Sequence, residues 1–174
     1  MTNGAQLFEE VTQVGIVVRD LKSALAQYSE RLGLSPWRIY RYAPPRLTDM
    51  RIRGQEIPYS MDTAICWSGK VMWELIESLE GPTIYEEFLE AHGEGIHHVQ
   101  VGHAGLDYDA HVKSFNDRGC AVLMEGNFEG ARFAYFDTEG PLKTIIEIRG
   151  APEDWTRPEP DWWYPAAPWN IAAP

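Results

Sequence analysis

An internal repeat limits what this 174-residue chain can fold into more than any single motif does. Residues 11–18 (VTQVGIVV) and 96–103 (IHHVQVGH) are strand-like runs, and each leads into a stretch with helical spacing of apolar residues. Gln13 and His98 are 98 − 13 = 85 positions apart, and Leu21 and Leu106 are 106 − 21 = 85 positions apart. Because the offset is the same in both elements, the sequence predicts two copies of one unit.

Each copy continues with further strand-like runs after its helix. These runs cover residues 61–67 and 71–77 in the first copy, and residues 131–137 and 144–148 in the second. The order predicts an α+β fold of two tandem βαβββ modules, at residues 11–80 and 96–150. Residues 81–95 are interpreted as a linker helix, since Thr83 and Glu86 have capping-box spacing there.

Local signals also predict where the helices begin and end. Asp20 is expected to cap the first helix, and Gly33 to end it. Gly93 is expected to end the linker helix, and Gly119 the helix of the second module.

The C-terminal segment, residues 151–174, differs in composition from the rest. It holds six of the 12 prolines and four of the 7 tryptophans. An extended strap whose indoles cover the chain's own surface is the preferred interpretation, ahead of a subunit-crossing arm or a lid over a site.

Charge and composition narrow the classes of function. The formal net charge of −11 disfavours nonspecific binding to nucleic acids or to anionic membranes, so a small molecule is the expected partner. No secretory signal or membrane-length apolar run is apparent, which predicts a soluble, cytoplasmic protein. Cys66 and Cys120 lack CxxC spacing and are interpreted as reduced core thiols.

Strand periodicity predicts where polar side chains converge. If Val99 and Val101 pack under a helix, His98 faces the opposite side of the sheet, and Gln13 occupies the matching position in the first copy. Glu74 and Glu147 lie between apolar residues on the partner strands, where an unpaired carboxylate is costly. One imidazole, one amide oxygen and two carboxylates predict a divalent metal site.

Two alternatives for this ligand set stay open. A slip of one residue would replace His98 by His97. Glu77 competes with Glu74 in the same way.

The stretch WELIESLEGPTIYEEFLEAHGEGIHHVQV, together with the repeat over residues 11–149, resembles the vicinal oxygen chelate superfamily. Its members include glyoxalase I, methylmalonyl-CoA epimerase, extradiol dioxygenases and bleomycin-resistance proteins. The resemblance implies a curved mixed sheet around a metal site, with one divalent ion (Zn, Co, Ni or Mn) held by Gln13, Glu74, His98 and Glu147. The epimerase branch usually has His where Gln13 stands, whereas the zinc-using glyoxalase I type has this Gln, Glu, His and Glu set.

The resemblance also implies an activity. The expected function is that of a metal-dependent isomerase or epimerase, similar to methylmalonyl-CoA epimerase, which removes a proton next to a metal-chelated carbonyl. Glu147 is the expected ligand and general base, with Glu74 as its partner. Glu56 is the candidate second acid, although it also fits a solvated loop acid. The alternatives are a glyoxalase I-type lactoylglutathione lyase and a noncatalytic small-molecule-binding protein of the resistance type.

Substrate and assembly follow from the same resemblance. An acyl-CoA thioester or a glutathione adduct would fit, and a homodimer is expected. Five arginines in the longer connection of the first module could receive an acidic group of the substrate, or could form salt bridges with the abundant acids: Arg38, Arg41, Arg46, Arg51 and Arg53.

Overall fold

The computed structural model describes residues 6–103 and 105–166. The first half of the chain contains β1 (Phe8–Val17), α1 (Leu21–Leu32), β2 (Trp37–Tyr42), β3 (Leu47–Ile52), β4 (Gln55–Glu56), β5 (Ser60–Ser68) and β6 (Val71–Glu80). Helix α2 (Ile84–His92) then leads to β7 (Gly95–His103), α3 (Tyr108–Asn116), β8 (Val122–Phe128), β9 (Ala131–Phe136), α4 (Glu139–Leu142) and β10 (Ile145–Gly150). The tail adds β11 (Trp162–Tyr164).

The described strands form one mixed 11-stranded sheet in the order β11-β2-β5-β6-β1-β7-β10-β9-β8-β3-β4. Strands β1 and β7 pair antiparallel at its centre, while β6 is parallel to β1 and β10 is parallel to β7. The two halves therefore repeat one pairing pattern about the β1–β7 junction. The predicted α+β class with a mixed sheet is confirmed.

At both ends of the sheet, the outer strands come from a different part of the chain than the strands with which they pair. The β3–β4 hairpin of the first half pairs with β8 of the second half. Strand β11 of the tail pairs with β2 of the first half. The prediction that residues 38–53 form a connection is wrong, because they contain most of β2 and all of β3.

Helices α1 and α3 lie against equivalent parts of the sheet. Leu21 and Leu25 of α1 pack with Ile16 and Leu75, and Phe115 of α3 packs in the corresponding cluster of the second half. A further cluster takes buried residues from both halves, including Tyr40, Met61, Tyr85, Phe128 and Tyr135. Burial of this apolar surface fixes which side of each central strand faces away from the helices.

The predicted caps of α1 and α2 are confirmed. Asp20 accepts a hydrogen bond from the Ser23 amide at 2.8 Å, and Gly33 ends α1 in the left-handed region with φ of 69°. Thr83 accepts from the Glu86 amide at 3.2 Å, and Gly93 follows α2. Helix α3 runs to Asn116, and Gly119 closes the turn that follows it in the left-handed region with φ of 82°, where the Cys120 amide donates to the Phe115 carbonyl.

Two further expectations concern membranes and thiols. Within residues 6–103 and 105–166, none of the helices has the length and apolar character needed to cross a lipid bilayer. Cys66 and Cys120 are free cysteines, as the missing CxxC spacing predicts.

We expect Asp20→Ala to lower the free energy of unfolding by about 1 kcal/mol, because the Ser23 amide loses its acceptor at the start of α1. Asp107→Ala should have a similar effect, since Asp107 accepts from the Ala110 amide at 2.8 Å at the start of α3. Urea denaturation measures both changes. Lys22→Ala, at an exposed position of α1, is the control, and equal stability of all three variants would contradict the capping assignment.

Candidate metal centre

Four adjacent strands at the centre of the sheet each contribute one of the predicted ligands. Glu74 lies on β6, Gln13 on β1, His98 on β7 and Glu147 on β10. Neighbouring strands lie about 4.8 Å apart, so residues in one row across four strands can reach a common point. The strand order therefore brings together Gln13 and His98, which are 98 − 13 = 85 positions apart in the sequence. It does the same for Glu74 and Glu147, which are 147 − 74 = 73 positions apart.

The strand register arranges these residues in two rows. Gly15 is opposite Glu74 on one side and His98 on the other. Gln13 is opposite Gln100, which is in turn opposite Glu147. The rows are two residues apart on β1, so they face the same side of the sheet.

Three predicted ligands form one buried cluster. Their donor atoms all lie within 4.8 Å of one another, and Glu74, His98 and Glu147 are all buried. The His98 Nε2 atom is 3.2 Å from Glu147 Oε2 and 3.6 Å from Glu74 Oε2. Two carboxylates and one imidazole at this separation are donors that suit Zn, Co, Ni or Mn, so the residues fit such an ion.

Gln13 completes the cluster through its amide. Its Nε2 donates to Glu74 Oε2 and lies 3.5 Å from His98 Nε2, while its Oε1 accepts from Gln100 Nε2 at 3.0 Å. A ligand role requires the amide oxygen to face the cluster, which a 180° rotation of the amide group provides.

Gln100 belongs to the same network, and the sequence analysis assigned it no role. Its Nε2 also donates to Glu147 Oε2 at 3.0 Å, and its Oε1 accepts from Thr12 Oγ1 at 3.1 Å. The sequence does indicate that Gln100 faces the site, because it lies two residues after His98 and therefore on the same face of the strand.

Gly15 leaves the space that the His98 ring occupies. A Cβ atom at this position would lie 1.9 Å from His98 Cε1 and 2.1 Å from Nε2. Both are far below a van der Waals contact, so any side chain at position 15 displaces the imidazole.

A β-bulge explains how two consecutive histidines reach the same region. Gly15 pairs with His98 and Ile16 pairs with Ile96, so His97 is the extra residue on β7. The His97 Nδ1 atom lies 3.0 Å from His98 Nδ1. The structure thus places His98 in the cluster with its Nε2 toward the carboxylates, and His97 behind it.

Glu77 does not join the cluster. Its Oε2 accepts a hydrogen bond from the Leu21 amide at 2.9 Å, at the start of α1. Of the two competing acids on β6, the structure brings Glu74 to the histidine.

Burial and neighbouring charges set the protonation of the two histidines. Burial lowers the pKa of His98, but the hydrogen bonds and charges of Glu147 and Glu74 outweigh it and raise that pKa to about 9. Burial, followed by the charge of His98, lowers the pKa of His97 well below its usual range. Without a metal, a charged His98 can therefore donate from Nδ1 to a neutral His97 and from Nε2 to Glu147.

A cavity lies next to the cluster. It is lined by Gln13, Glu74, Gln100 and Glu147, and around them by Tyr42, Met61, Thr63, Met72, Tyr85, Phe133, Tyr135, Arg149 and Arg157. Its volume of about 20 Å³ is room for only one or two water molecules. Arg157 comes from the C-terminal segment predicted as a strap, so the described part of that segment, residues 151–166, forms part of the cavity wall. Residues 167–174, including Trp169, lie outside the described residues.

Glu56, the candidate second acid, lies away from this cavity. Its side chain is 82% exposed and its Oε1 is 3.2 Å from Arg51 Nη2. The arginines of the first half are engaged in the same way: Arg41 with Asp62, Arg46 with Glu129 and Asp161, and Arg53 with Glu87. Arg38 contacts the rings of Trp67 and Trp163 instead. None of the five arginines lines the cavity, and four of them agree with the salt-bridge interpretation.

Comparison with known proteins relates this geometry to a family. A family model described as "Glyoxalase/Bleomycin resistance protein/Dioxygenase superfamily" matches residues 12–136. No curated protein matches the chain.

Solved structures of methylmalonyl-CoA epimerases have a similar fold. The enzyme from Mycobacterium tuberculosis is 20% identical with a TM-score of 0.59, over 88% of this chain and 95% of that one. A Streptomyces coelicolor epimerase variant in complex with 2-nitronate-propionyl-CoA is 18% identical with a TM-score of 0.55, over 83% and 99%. A methylmalonyl-CoA epimerase in complex with methylmalonyl-CoA and NH4+ is 19% identical with a TM-score of 0.54, over 87% and 100%.

We expect Gly15→Ala to weaken the binding of Zn²⁺ by roughly 10- to 100-fold, because the added methyl group overlaps the position of the His98 ring. Gly95→Ala is the matched control, since nothing lies within 4 Å of a Cβ added at that position of β7. Titration against a chromophoric chelator measures the affinity, and circular dichroism reports folding. Equal affinity of a folded Gly15→Ala variant would contradict this site.

We also expect Zn²⁺ binding at pH 7.5 to release about one proton per ion, because an ion at Nε2 replaces the proton that His98 carries below its pKa of about 9. The release should decrease as the pH rises through that value. Calorimetry in buffers of different ionisation enthalpy measures it. Release of almost no protons at pH 7.5 would show that Zn²⁺ does not replace a proton on His98, which contradicts this prediction.

Proposed function

Because the chain belongs to the glyoxalase/bleomycin resistance protein/dioxygenase superfamily, also called vicinal oxygen chelate, we propose that it is a divalent-metal-dependent epimerase or isomerase. Its reaction is the movement of a proton on the carbon next to a substrate carbonyl. The observation that carries the proposal is the buried cluster of Glu74, His98 and Glu147 beside a cavity. A methylmalonyl-CoA epimerase-like activity is the specific form that the fold comparisons support.

The proposed metal ligands are Gln13, Glu74, His98 and Glu147. When bound, a Zn, Co, Ni or Mn ion supplies Lewis-acid stabilisation of the negative charge that develops on a substrate oxygen. His97 keeps the His98 ring oriented through the contact between their Nδ1 atoms. Gln100 holds Glu147 in place by donating from its Nε2 to Glu147 Oε2.

The two glutamates are the proposed proton carriers. Glu147 Oε2 is engaged by His98 and Gln100, while its Oε1 has no hydrogen-bond partner in the described part of the chain and can accept a proton. Glu74 lies on β6 and Glu147 on β10, two strands that flank the β1–β7 pair from opposite sides. Epimerisation requires removal of a proton from one side of a carbon and its return from the other, so Glu147 serves as base and Glu74 as the opposing acid.

A glyoxalase I-type lyase is the second candidate function. The observation in its favour is Gln13 in the cluster, because the zinc-using glyoxalase I type has the same Gln, Glu, His and Glu set. Its substrate would be the hemithioacetal formed from methylglyoxal and glutathione. Both reactions begin with the removal of a proton next to an oxygen-bearing carbon, so one base can serve either.

We expect the Zn²⁺- or Co²⁺-loaded protein to exchange the α hydrogen of methylmalonyl-CoA with deuterium in heavy water. Glu147→Gln should reduce the exchange rate at least 100-fold, because the amide cannot accept the proton. Glu80→Gln, at an exposed position of β6, is the matched control and should keep the wild-type rate. Mass spectrometry of the recovered thioester measures the incorporation.

The remaining outcomes separate the alternatives. Exchange that Glu147→Gln leaves unchanged would remove Glu147 as the base, and loss of exchange in Glu56→Gln would restore the second-acid role that the resemblance gives to Glu56. Lactoylglutathione formation from the hemithioacetal, with no exchange into methylmalonyl-CoA, would identify the lyase. Purified protein that neither contains nor takes up a divalent ion would leave only a binding protein.

A further inference from the structure

We propose that Arg149 and Arg157 form a receiving site for a carboxylate of the substrate, at the wall of the cavity that adjoins the metal centre. The inference rests on the proposed function and deepens it, because it makes the substrate a carboxylate-bearing acyl compound. Both arginines lie outside the group that the sequence analysis considered. Neither belongs to the predicted ligand set.

The two arginines reach the cavity from different elements. Arg149 is two residues after Glu147 on β10, so its side chain leaves the same face of the sheet. Arg157 belongs to the C-terminal strap, and its Nη2 lies 4.0 Å from Met72 Sδ on β6. Both line the cavity together with Glu74 and Glu147.

Aromatic rings hold both guanidinium groups. Arg149 lies 4.5 Å from the centre of the Trp155 ring, and Arg157 lies between Trp155 and Trp67 at 5.8 and 5.6 Å. A guanidinium that stacks on a ring keeps its N–H edge available to an anion. Within the described residues, neither arginine forms a salt bridge with a carboxylate, although the chain has 26 acidic residues.

The charge of the residues around the cavity favours an anion. Burial lowers the pKa of Arg157, and the nearby charge of Arg149 lowers it further, so the two cations are held close together at a cost. Two arginines, two glutamates and one divalent ion sum to two positive charges beside a neutral His98. A substrate carboxylate, followed by negative charge developing at the reacting carbonyl, offsets that excess.

Thr63 adds a polar contact in the same cavity. It is 2% exposed, and its Oγ1 has no hydrogen-bond partner among the described residues. A buried hydroxyl without a partner is costly, and a bound carboxylate would accept its hydrogen bond. A planar carboxylate has two oxygens for the two guanidinium edges, and it is smaller than a phosphate group.

Binding of malonate and of its neutral analogue malonamide tests the proposal. We expect both metal-free and Zn²⁺-loaded protein to bind malonate at least tenfold more tightly than malonamide, by isothermal titration calorimetry. Arg157→Gln and Arg149→Gln should each weaken malonate binding at least tenfold and leave malonamide unaffected. Arg38→Gln is the matched control, since Arg38 also stacks on Trp67, at 5.2 Å, but does not line the cavity.

Thermal unfolding of each variant verifies that the strap and sheet remain folded. Wild-type malonate affinity in folded Arg157→Gln and Arg149→Gln would overturn the proposal, as would equal loss in Arg38→Gln. Because the measurement uses no turnover and includes metal-free protein, its failure is distinct from failure of the epimerase function. Discrimination against malonamide without deuterium exchange into methylmalonyl-CoA would keep the carboxylate site and remove that thioester as substrate.

Discussion

Two buried carboxylates beside one imidazole are the constraint on which the rest of this structure depends. Glu74 and Glu147 are almost fully removed from water, where like charges repel and desolvation is expensive. A charged His98 compensates them in the metal-free protein, and a divalent ion would compensate them more fully. The glutamine pair, the bulge at His97 and the missing side chain at Gly15 all serve to hold this one arrangement of charges.

Much of this could be predicted from the sequence because the fold is duplicated. A strand has a period of two, so the face of His98 followed from its valine neighbours, and the repeat carried the same inference to Gln13. The bulge could not be predicted, since it depends on the pairing of β1 with β7. Without the bulge, His97 and His98 would point to opposite faces of the sheet. The choice between His97 and His98 as the metal ligand therefore requires the strand register to be known.

The arginines show a different limit of sequence reasoning. The dense cluster of arginines in residues 38–53 is a candidate anion receptor in the sequence, yet most of its members face acids on the outer surface. Arg149 and Arg157 do not belong to a local cluster of arginines in the sequence. They come together only through the path of the C-terminal segment. Glu56 has the place along the chain that the resemblance gives to a second acid, whereas the structure puts β4 at the far end of the sheet.

The exchange of strands at the two ends of the sheet has a consequence for the association of the chain with other chains. The hairpin β3–β4 of the first half covers the open edge of the second, and β11, which follows the second half, covers the edge of the first. Either half produced alone would present an unpaired edge, which invites association with other chains. A single module of this kind would therefore need a second chain to cover its open edge, a need that the mutual covering within one chain removes.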